Sequence, residues 1–188
     1  MDSKKSIIVI GSPRKNGNSV LLAERTEAGI RDAGGSVESF FLHDMDIGPC
    51  TACDACQQSA DAECTVIDDM QKLYPLLKEA GSLVIASPVY WFTVSAQTKL
   101  FMDRCYAIAT EEKNNFEGKK IGIILVYGDE DPYASGAVNA IRMFQDAYRY
   151  TGSEIVDIVY GSADGPGDIA SNKKLLEKAY SMGSKLID

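Results

Sequence analysis

The chain has 188 residues, 24% of them charged, and a formal net charge of -8. That length suits a single domain, here residues 1–188, with a sizeable core. The acidic balance excludes an obvious nucleic-acid or anionic-membrane partner and fits solubility or a basic protein partner. No stretch approaches the ~20 apolar residues of a bilayer span. The start, MDSKK followed by SIIVIGS, has too short an apolar run and no small-residue cleavage site for a secretory signal. A cytoplasmic location is therefore expected, where thiols stay reduced.

Strand and helix patterns alternate along the chain. Ser6 to Ile10 is a short unbroken apolar run, as in a parallel strand buried on both faces. A Gly-rich turn leads to a helix over Ser19 to Ala33 that stops at Gly34-Gly35. A second strand, Val37 to Leu42, is followed by a long segment from His43 to Ile67 that carries four of the five cysteines. Asp68-Asp69 start a helix to Ala80, their charges complementing its dipole. Leu83 to Ala86 is a third strand, which Ser87-Pro88 is expected to halt, and Ser95 to about Ala109 is helical. Strand Lys120 to Tyr127, helix Ala137 to Tyr150, strand Ile155 to Val159 and a helix from about Asp168 to Leu186 complete the pattern. Five strands alternating with five helices predict a doubly wound five-stranded parallel sheet. The cysteine-bearing segment is then an insertion after strand 2.

Ligands of such sheets bind beyond the carboxyl ends of the strands. Three loops fall there: Gly11 to Ser19, Ser87 to Phe92, and Gly128 to Ser135. In the first, glycines let the backbone approach an anion and the following helix offers unpaired N–H groups. Ser12, Asn16, Asn18 and Ser19 add neutral donors. Asn18 stands where a Walker A loop has lysine, and the three-glycine dinucleotide spacing is absent. A ligand with one terminal phosphate fits better than ATP or NAD; the plainer reading is a polar strand-to-helix turn. In the second loop, Tyr90-Trp91-Phe92 follow Pro88 with no alternation that would bury all three. They suit either a flat heteroaromatic ring or a core end or subunit contact.

Cys50-x2-Cys53-x2-Cys56-x7-Cys64 is the remaining signature. Three cysteines at three-residue steps can turn their sulfurs to one centre, as in ferredoxin-type runs, and a fourth completes a thiolate set. The two separate knuckles of structural zinc sites are absent. An iron–sulfur cluster, free thiols, and zinc or a disulfide all stay open on spacing and compartment alone. His43 reads as a surface or turn residue and Cys105 as a small apolar core residue.

GSPRKNGNS, the cysteine run ending in CTVIDDM, and SPVYWFTVSAQTKLFMDR together resemble the NAD(P)H-dependent FMN reductase and iron–sulfur flavoprotein group of the flavodoxin-like fold. The resemblance spans about Ile7 to Arg104. It implies a strand order of 2-1-3-4-5. It implies that Ser12, Arg14, Asn16, Gly17, Asn18 and Ser19 hold the phosphate of FMN. Pro88, Val89, Tyr90, Trp91 and Phe92 would line the isoalloxazine edge, and Gly128 would close the third side. It further implies a 4Fe–4S cluster on Cys50, Cys53, Cys56 and Cys64. Lys99, Asp103 and Arg104 are read as structural ion pairs or helix-end contacts. A homodimer or homotetramer is expected, with the cluster near another subunit's flavin. No nucleophile–histidine pair occurs, so the chemistry falls to the flavin. NAD(P)H would be the candidate substrate, with a ferredoxin, quinone or oxygen species as electron partner. The rival readings are a flavodoxin-like electron carrier and a quinone or azo-compound reductase.

Overall fold

The computed structural model describes residues 1–109 and 114–188. In chain order it contains β1 (Asp2–Ile10), α1 (Asn18–Asp32), β2 (Ser36–Phe41), α2 (Met70–Glu79), β3 (Ala80–Tyr90), β4 (Thr93–Val94), α3 (Ala96–Arg104), β5 (Lys120–Tyr127), α4 (Ala137–Tyr150), β6 (Glu154–Ser162) and α5 (Lys173–Ile187).

The sheet has six strands, not five. Its order is β2-β1-β3-β5-β6, with β4 paired to β3 off this path. The five-stranded 2-1-3-4-5 arrangement is corrected accordingly. The added strand is antiparallel and two residues long, Val89 facing Val94 and Tyr90 facing Thr93. A strand that short leaves no run of alternating residues to read. The other pairings are all parallel.

Strand parity explains the two layers of the core. Ile7, Val9, Leu83, Ile85, Ile121 and Ile123 face α2, α3 and α4 through Leu73, Leu77, Phe101 and Phe144. The alternate residues Ile8, Ile10, Val84, Ala86, Ile124 and Val126 face α1 and α5 through Leu22, Ile30, Ala179 and Met182. Successive side chains of a strand point to opposite faces, and both faces are covered. That is why these strands read as continuous apolar runs.

Several boundaries differ from expectation: β1 starts at Asp2 rather than Ser6, α3 ends at Arg104 and gives way to a 3-10 turn over Cys105–Ile108, and β6 runs on to Ser162. β3 runs on through Ser87 and Pro88, which pair with Leu125 and Val126 of β5. β1 pairs with β3 only as far as Ala86. Beyond that point β3 lacks one neighbour and needs fewer ladder donors, which is where a proline is tolerated. The last helix starts later than expected. A short 3-10 turn, Asp168–Ser171, precedes it, and the Asn172 side chain caps α5 by accepting from Leu175 N–H at 3.0 Å.

Candidate functional site: a strand-end crevice and a ring of thiols

The crevice lies where β1, β3, β5 and β6 end. Its first wall leaves β1 at Gly11, whose N–H donates to Ala86 O at 2.8 Å and whose carbonyl accepts from Ser95 Oγ at 2.8 Å. A Cβ on Gly11 would lie 1.9 Å from Thr98 Oγ1, so only glycine lets the loop leave the sheet this close to α3. Ser12 Oγ accepts from Arg14 N–H at 3.1 Å, and Gly17 N–H closes the turn on Arg14 O at 3.0 Å. Gly17 caps α1 with no side chain to accept the first-turn N–H groups, and no acidic residue stands in that turn. Those N–H groups and the positive end of the helix dipole are left for an anion.

Asn18 ties this wall to the opposite one. Its Oδ1 accepts from Gly167 N–H at 2.9 Å and Ile169 N–H at 3.2 Å, while its Nδ2 donates to Gly165 O at 2.8 Å. The walls enclose about 230 Å³. Nine of the twelve residues expected to bind cofactor line this space: Ser12, Arg14, Gly17, Asn18, Ser19, Pro88, Val89, Tyr90 and Gly128. Asn16, Trp91 and Phe92 do not belong to its lining. Val126, Tyr127, Ala163, Asp164 and Pro166 line it and were not anticipated. The Gly/Pro turn after β6 was visible in the sequence, and its place at a strand's carboxyl end was the signal for the last three. Burial pushes the Tyr127 phenol above its ordinary value, with Tyr160 and Asp131 adding to the shift. It therefore stays a neutral O–H.

The aromatic segment forms a tight hairpin. Trp91 and Phe92 make its two-residue turn with φ of 49° and 67°. Both lie in the left-handed region, a costly place for bulky residues and one that hairpin turns usually fill with Asn-Gly. Trp91 is 92% exposed. Phe92 sits against Gly136, where an added Cβ would lie 2.6 Å from Phe92 Cα. Asn139 Nδ2 donates to Phe92 O at 3.1 Å, and Ser87 Oγ accepts from Ser95 N–H at 3.1 Å. The hairpin is thereby braced by the start of α4 and by its own return strand.

The second centre lies in the segment between β2 and α2. Cys50, Cys53, Cys56 and Cys64 all line one small cavity, together with Thr51, Ala52, Asp54, Thr65, Val66 and Tyr106. Ala52 and Asp54 hold φ of 51° and 54°, turning the backbone on either side of Cys53. Cys53 Sγ lies 3.5 Å from Thr65 Oγ1, Gln57 Nε2 donates to Cys56 Sγ at 3.2 Å, and Arg104 Nη2 donates to Cys64 Sγ at 3.5 Å. The Thr65 hydroxyl, helped by the Ala55 N–H and Thr51, lowers the Cys53 thiol below its ordinary value. Among the described residues, no three His, Cys, Asp or Glu side chains are grouped to hold a metal ion. Cys105 stands apart, buried at the end of α3, where burial raises its thiol. His43 is exposed in a 3-10 turn, 3.2 Å from Gln97 Nε2.

Lys99 and Asp103 form an exposed pair on α3 at 2.5 Å. Arg104 does something different. It turns inward, 1% exposed, and ion-pairs with Asp68. Burial would raise the Asp68 carboxyl, but Arg104 and the N–H groups of Gly48 and Met70 outweigh it and hold the carboxyl below its ordinary value.

The profile of the NADPH-dependent FMN reductase family matches residues 5–150. The chain belongs to that family. It is thus a flavin-dependent oxidoreductase by descent, on the fold described above. An iron-sulfur flavoprotein of Archaeoglobus fulgidus is 30% identical, covering 98% of this chain and 79% of the relative. A putative NAD(P)H-dependent FMN-containing oxidoreductase of Bacillus subtilis, YwqN, is 26% identical over 93% of this chain and 94% of its own. The solved NAD(P)H:quinone oxidoreductase of Methanothermobacter marburgensis superposes with a TM-score of 0.77, at 20% identity, covering 98% of this chain and 96% of that one. That likeness shows the fold. A flavodoxin from the Archaea superposes with a TM-score of 0.60 at 18% identity, covering 97% of this chain and 96% of that one.

The chemistry of the crevice fits the flavin that the family implies. A phosphate needs bare N–H groups at a helix start, and a flat ring needs a cleft between strand ends. Four thiols around one cavity, three of them beside an N–H or O–H group, suit an iron–sulfur cluster. A cluster carries its thiolates on separate irons, so they stand further apart than ligands of a single ion.

Proposed function

We propose that this chain oxidises NAD(P)H through FMN held in the strand-end crevice, and passes the electrons on through a 4Fe–4S cluster held by Cys50, Cys53, Cys56 and Cys64. The observation that carries the reading is the pairing of two features in one chain. The strand-end loops converge on a helix start free of acidic residues, and four thiols line a single cavity.

Bound FMN would supply the hydride-accepting ring, and a cluster the one-electron relay. The protein's part is binding and placement. The α1 N–H groups, Ser12 and Ser19 hold the phosphate, and Arg14 adds a cation at the rim. Pro88, Val89 and Tyr90 set one edge of the ring, and Gly128 lets the opposite loop approach it. Trp91 and Phe92 stand at the mouth rather than along the ring. Asn18 fixes the two walls at one separation. Among the described residues one crevice lies at the strand ends, and NAD(P)H would stack on the open ring face there.

Ser95, bonded to the first wall, and Arg104, bonded to Cys64, stand at opposite ends of α3. A helix rising ~1.5 Å per residue separates them by roughly 13 Å. A homodimer or homotetramer would let one subunit's cysteines approach another's crevice, and reduced thiols favour the cytoplasm.

A second reading keeps the crevice and replaces the cluster with a quinone or azo compound as acceptor; a solved NAD(P)H:quinone oxidoreductase and a solved azoreductase share the fold. Anaerobic purification separates the two. The proposal expects FMN with iron and acid-labile sulfide in equal amount, and rapid flavin bleaching by NADH or NADPH. Iron and sulfide near zero beside bound FMN would leave the quinone reading. Bleaching by reduced ferredoxin alone would leave an electron carrier.

A further inference from the structure

We propose that Arg104 is the positioning residue of the cysteine centre, closing the neck of the thiol loop and setting the reduction potential of the cluster through Cys64. The inference rests on the cluster reading above.

Arg104 reaches both ends of the segment at once. Nη1 donates to Gly48 O at 3.0 Å and to the Asp68 carboxylate; Nη2 donates to Val66 O at 3.1 Å and to Cys64 Sγ at 3.5 Å. Gly48 precedes Cys50 and Val66 follows Cys64, so one guanidinium bridges the two strands of chain that lead into and out of all four thiols. Asp68 completes the neck, accepting from Gly48 N–H at 2.9 Å and Met70 N–H at 3.0 Å.

Packing alone does not call for this arrangement. A buried ion pair is often no more stabilising than apolar residues of the same volume, because both charges must be desolvated. Arg104 also leaves its buried Nε without a hydrogen-bond partner. A residue chosen for stability would avoid that cost. What an apolar side chain cannot do is donate to two carbonyls and a sulfur from one planar fork.

The sulfurs are not treated alike. Cys53 and Cys56 meet neutral groups, the Thr65 hydroxyl and the Gln57 amide. Among the described residues, only Cys64 takes a hydrogen bond from a cation. Donors and positive charge at a ligating sulfur favour the electron-richer state of a cluster and raise its potential. Asp68, one bond further away, pulls in the opposite direction. The pair therefore predicts shifts of opposite sign, which a purely structural role does not.

The test compares wild type, Arg104→Gln, Arg104→Lys and Asp68→Asn, each purified without oxygen. Midpoint potentials of cluster and flavin are titrated separately in the same sample. The expected result is a cluster midpoint below wild type in R104Q, above it in D68N, and between R104Q and wild type in R104K. The flavin midpoint should stay constant throughout. Equal cluster midpoints in all four proteins, or shifts of the same sign in R104Q and D68N, would overturn the potential-setting role. Should R104Q fail to fold, R104K and D68N still carry opposite predictions. Iron absent from wild type overturns the cluster reading instead. The neck is then tested in the iron-free protein by the alkylation rate of Cys64 against that of Cys50. Arg104→Lys should speed Cys64 several-fold relative to Cys50 through local opening. An unchanged ratio overturns the neck.

Discussion

The crevice and the cysteine segment are held together in opposite ways. The crevice is fixed by many weak ties spread over regular structure: backbone bonds at Gly11 and Gly17, the Ser95 and Ser87 hydroxyls, and the three-way clamp of Asn18. Each wall grows from a strand of one sheet, so losing one tie leaves the rest. The cysteine segment, from β2 to α2, has no long element of its own. Its two ends meet at one buried cation and one buried carboxylate. Around that pair the ties are mostly exposed, such as Asp46 N–H to Asp69 Oδ2 at 2.9 Å and Gln57 Nε2 to Tyr106 O at 3.1 Å, so the crevice should degrade gradually while the thiol ring leans most on one buried pair.

Removing one partner of that pair should have the largest effect. Arg104→Ala leaves Asp68 buried and unpaired and should cost about 3–5 kcal/mol, the usual penalty for stranding one partner of a buried ion pair. Denaturant unfolding monitored by circular dichroism measures it. A loss below about 1 kcal/mol would mean the segment has other supports and the contrast is false.

On the crevice side, Asn18 gives the next largest effect. Asn18→Ala deletes three hydrogen bonds between the first wall and the turn after β6, at about 1–3 kcal/mol. Asn18→Asp separates structure from ligand. The carboxylate still accepts from Gly167 and Ile169 and suits a helix N-terminus, so most stability remains. It places an anion beside the phosphate, so FMN affinity should fall on the order of tenfold, a change of about 1.4 kcal/mol. Quenching of free FMN fluorescence by apoprotein reports it. Equal affinity in wild type and Asn18→Asp would displace the phosphate from this loop.

Acid tests the same contrast more gently. The Asp68 carboxyl is held below its ordinary value in the fold. Its contribution is therefore complete above the ordinary carboxylate value, about 3.9. It is lost as pH falls through the lower native value. Proteolysis between residues 48 and 66 should accelerate there before the crevice walls open, and Asp68→Asn should flatten that pH dependence. Simultaneous cleavage of both regions would remove the distinction.

How much of this was legible follows the same division. The apolar runs Ser6 to Ile10 and Lys120 to Tyr127 announced buried parallel strands because both faces of the sheet are covered. Gly11 to Ser19 announced a strand-end loop lined with polar donors, because only glycine at Gly11 lets the chain leave the sheet so close to α3. The turn after β6 is legible as a Gly/Pro turn, but its place in the crevice is not, since Ala163 and Pro166 have no chemistry of their own; Ala163 N–H bonds Tyr127 O at 2.8 Å and Asn18 holds Gly165 and Gly167 on either side of Pro166. Arg104 forms the structural ion pair its place suggests, but its buried partners escaped for another reason. Beside Lys99 and Asp103 it looks like one more helix-end charge, and only the packing of Gly48, Asp68 and Val66 around it shows that it faces inward. β4 was invisible because a two-residue strand has no periodicity.

The smallest predicted effect concerns the hairpin tip. Trp91 holds a left-handed φ of 49° while 92% exposed, so it has strain and little packing to offset it. Glycine adopts that φ without the Cβ penalty. Relief of about 1–3 kcal/mol of backbone strain, less the entropy glycine adds to the unfolded chain, leaves Trp91→Gly more stable by about 1 kcal/mol. Because Trp91 does not line the crevice, FMN affinity should not change. Differential scanning calorimetry and the same fluorescence titration check both parts. A fall in FMN affinity would return Trp91 to the ring edge. A fall in stability would show that the tip is covered in the assembled protein, because strain kept at an exposed aromatic needs a contact to hold it.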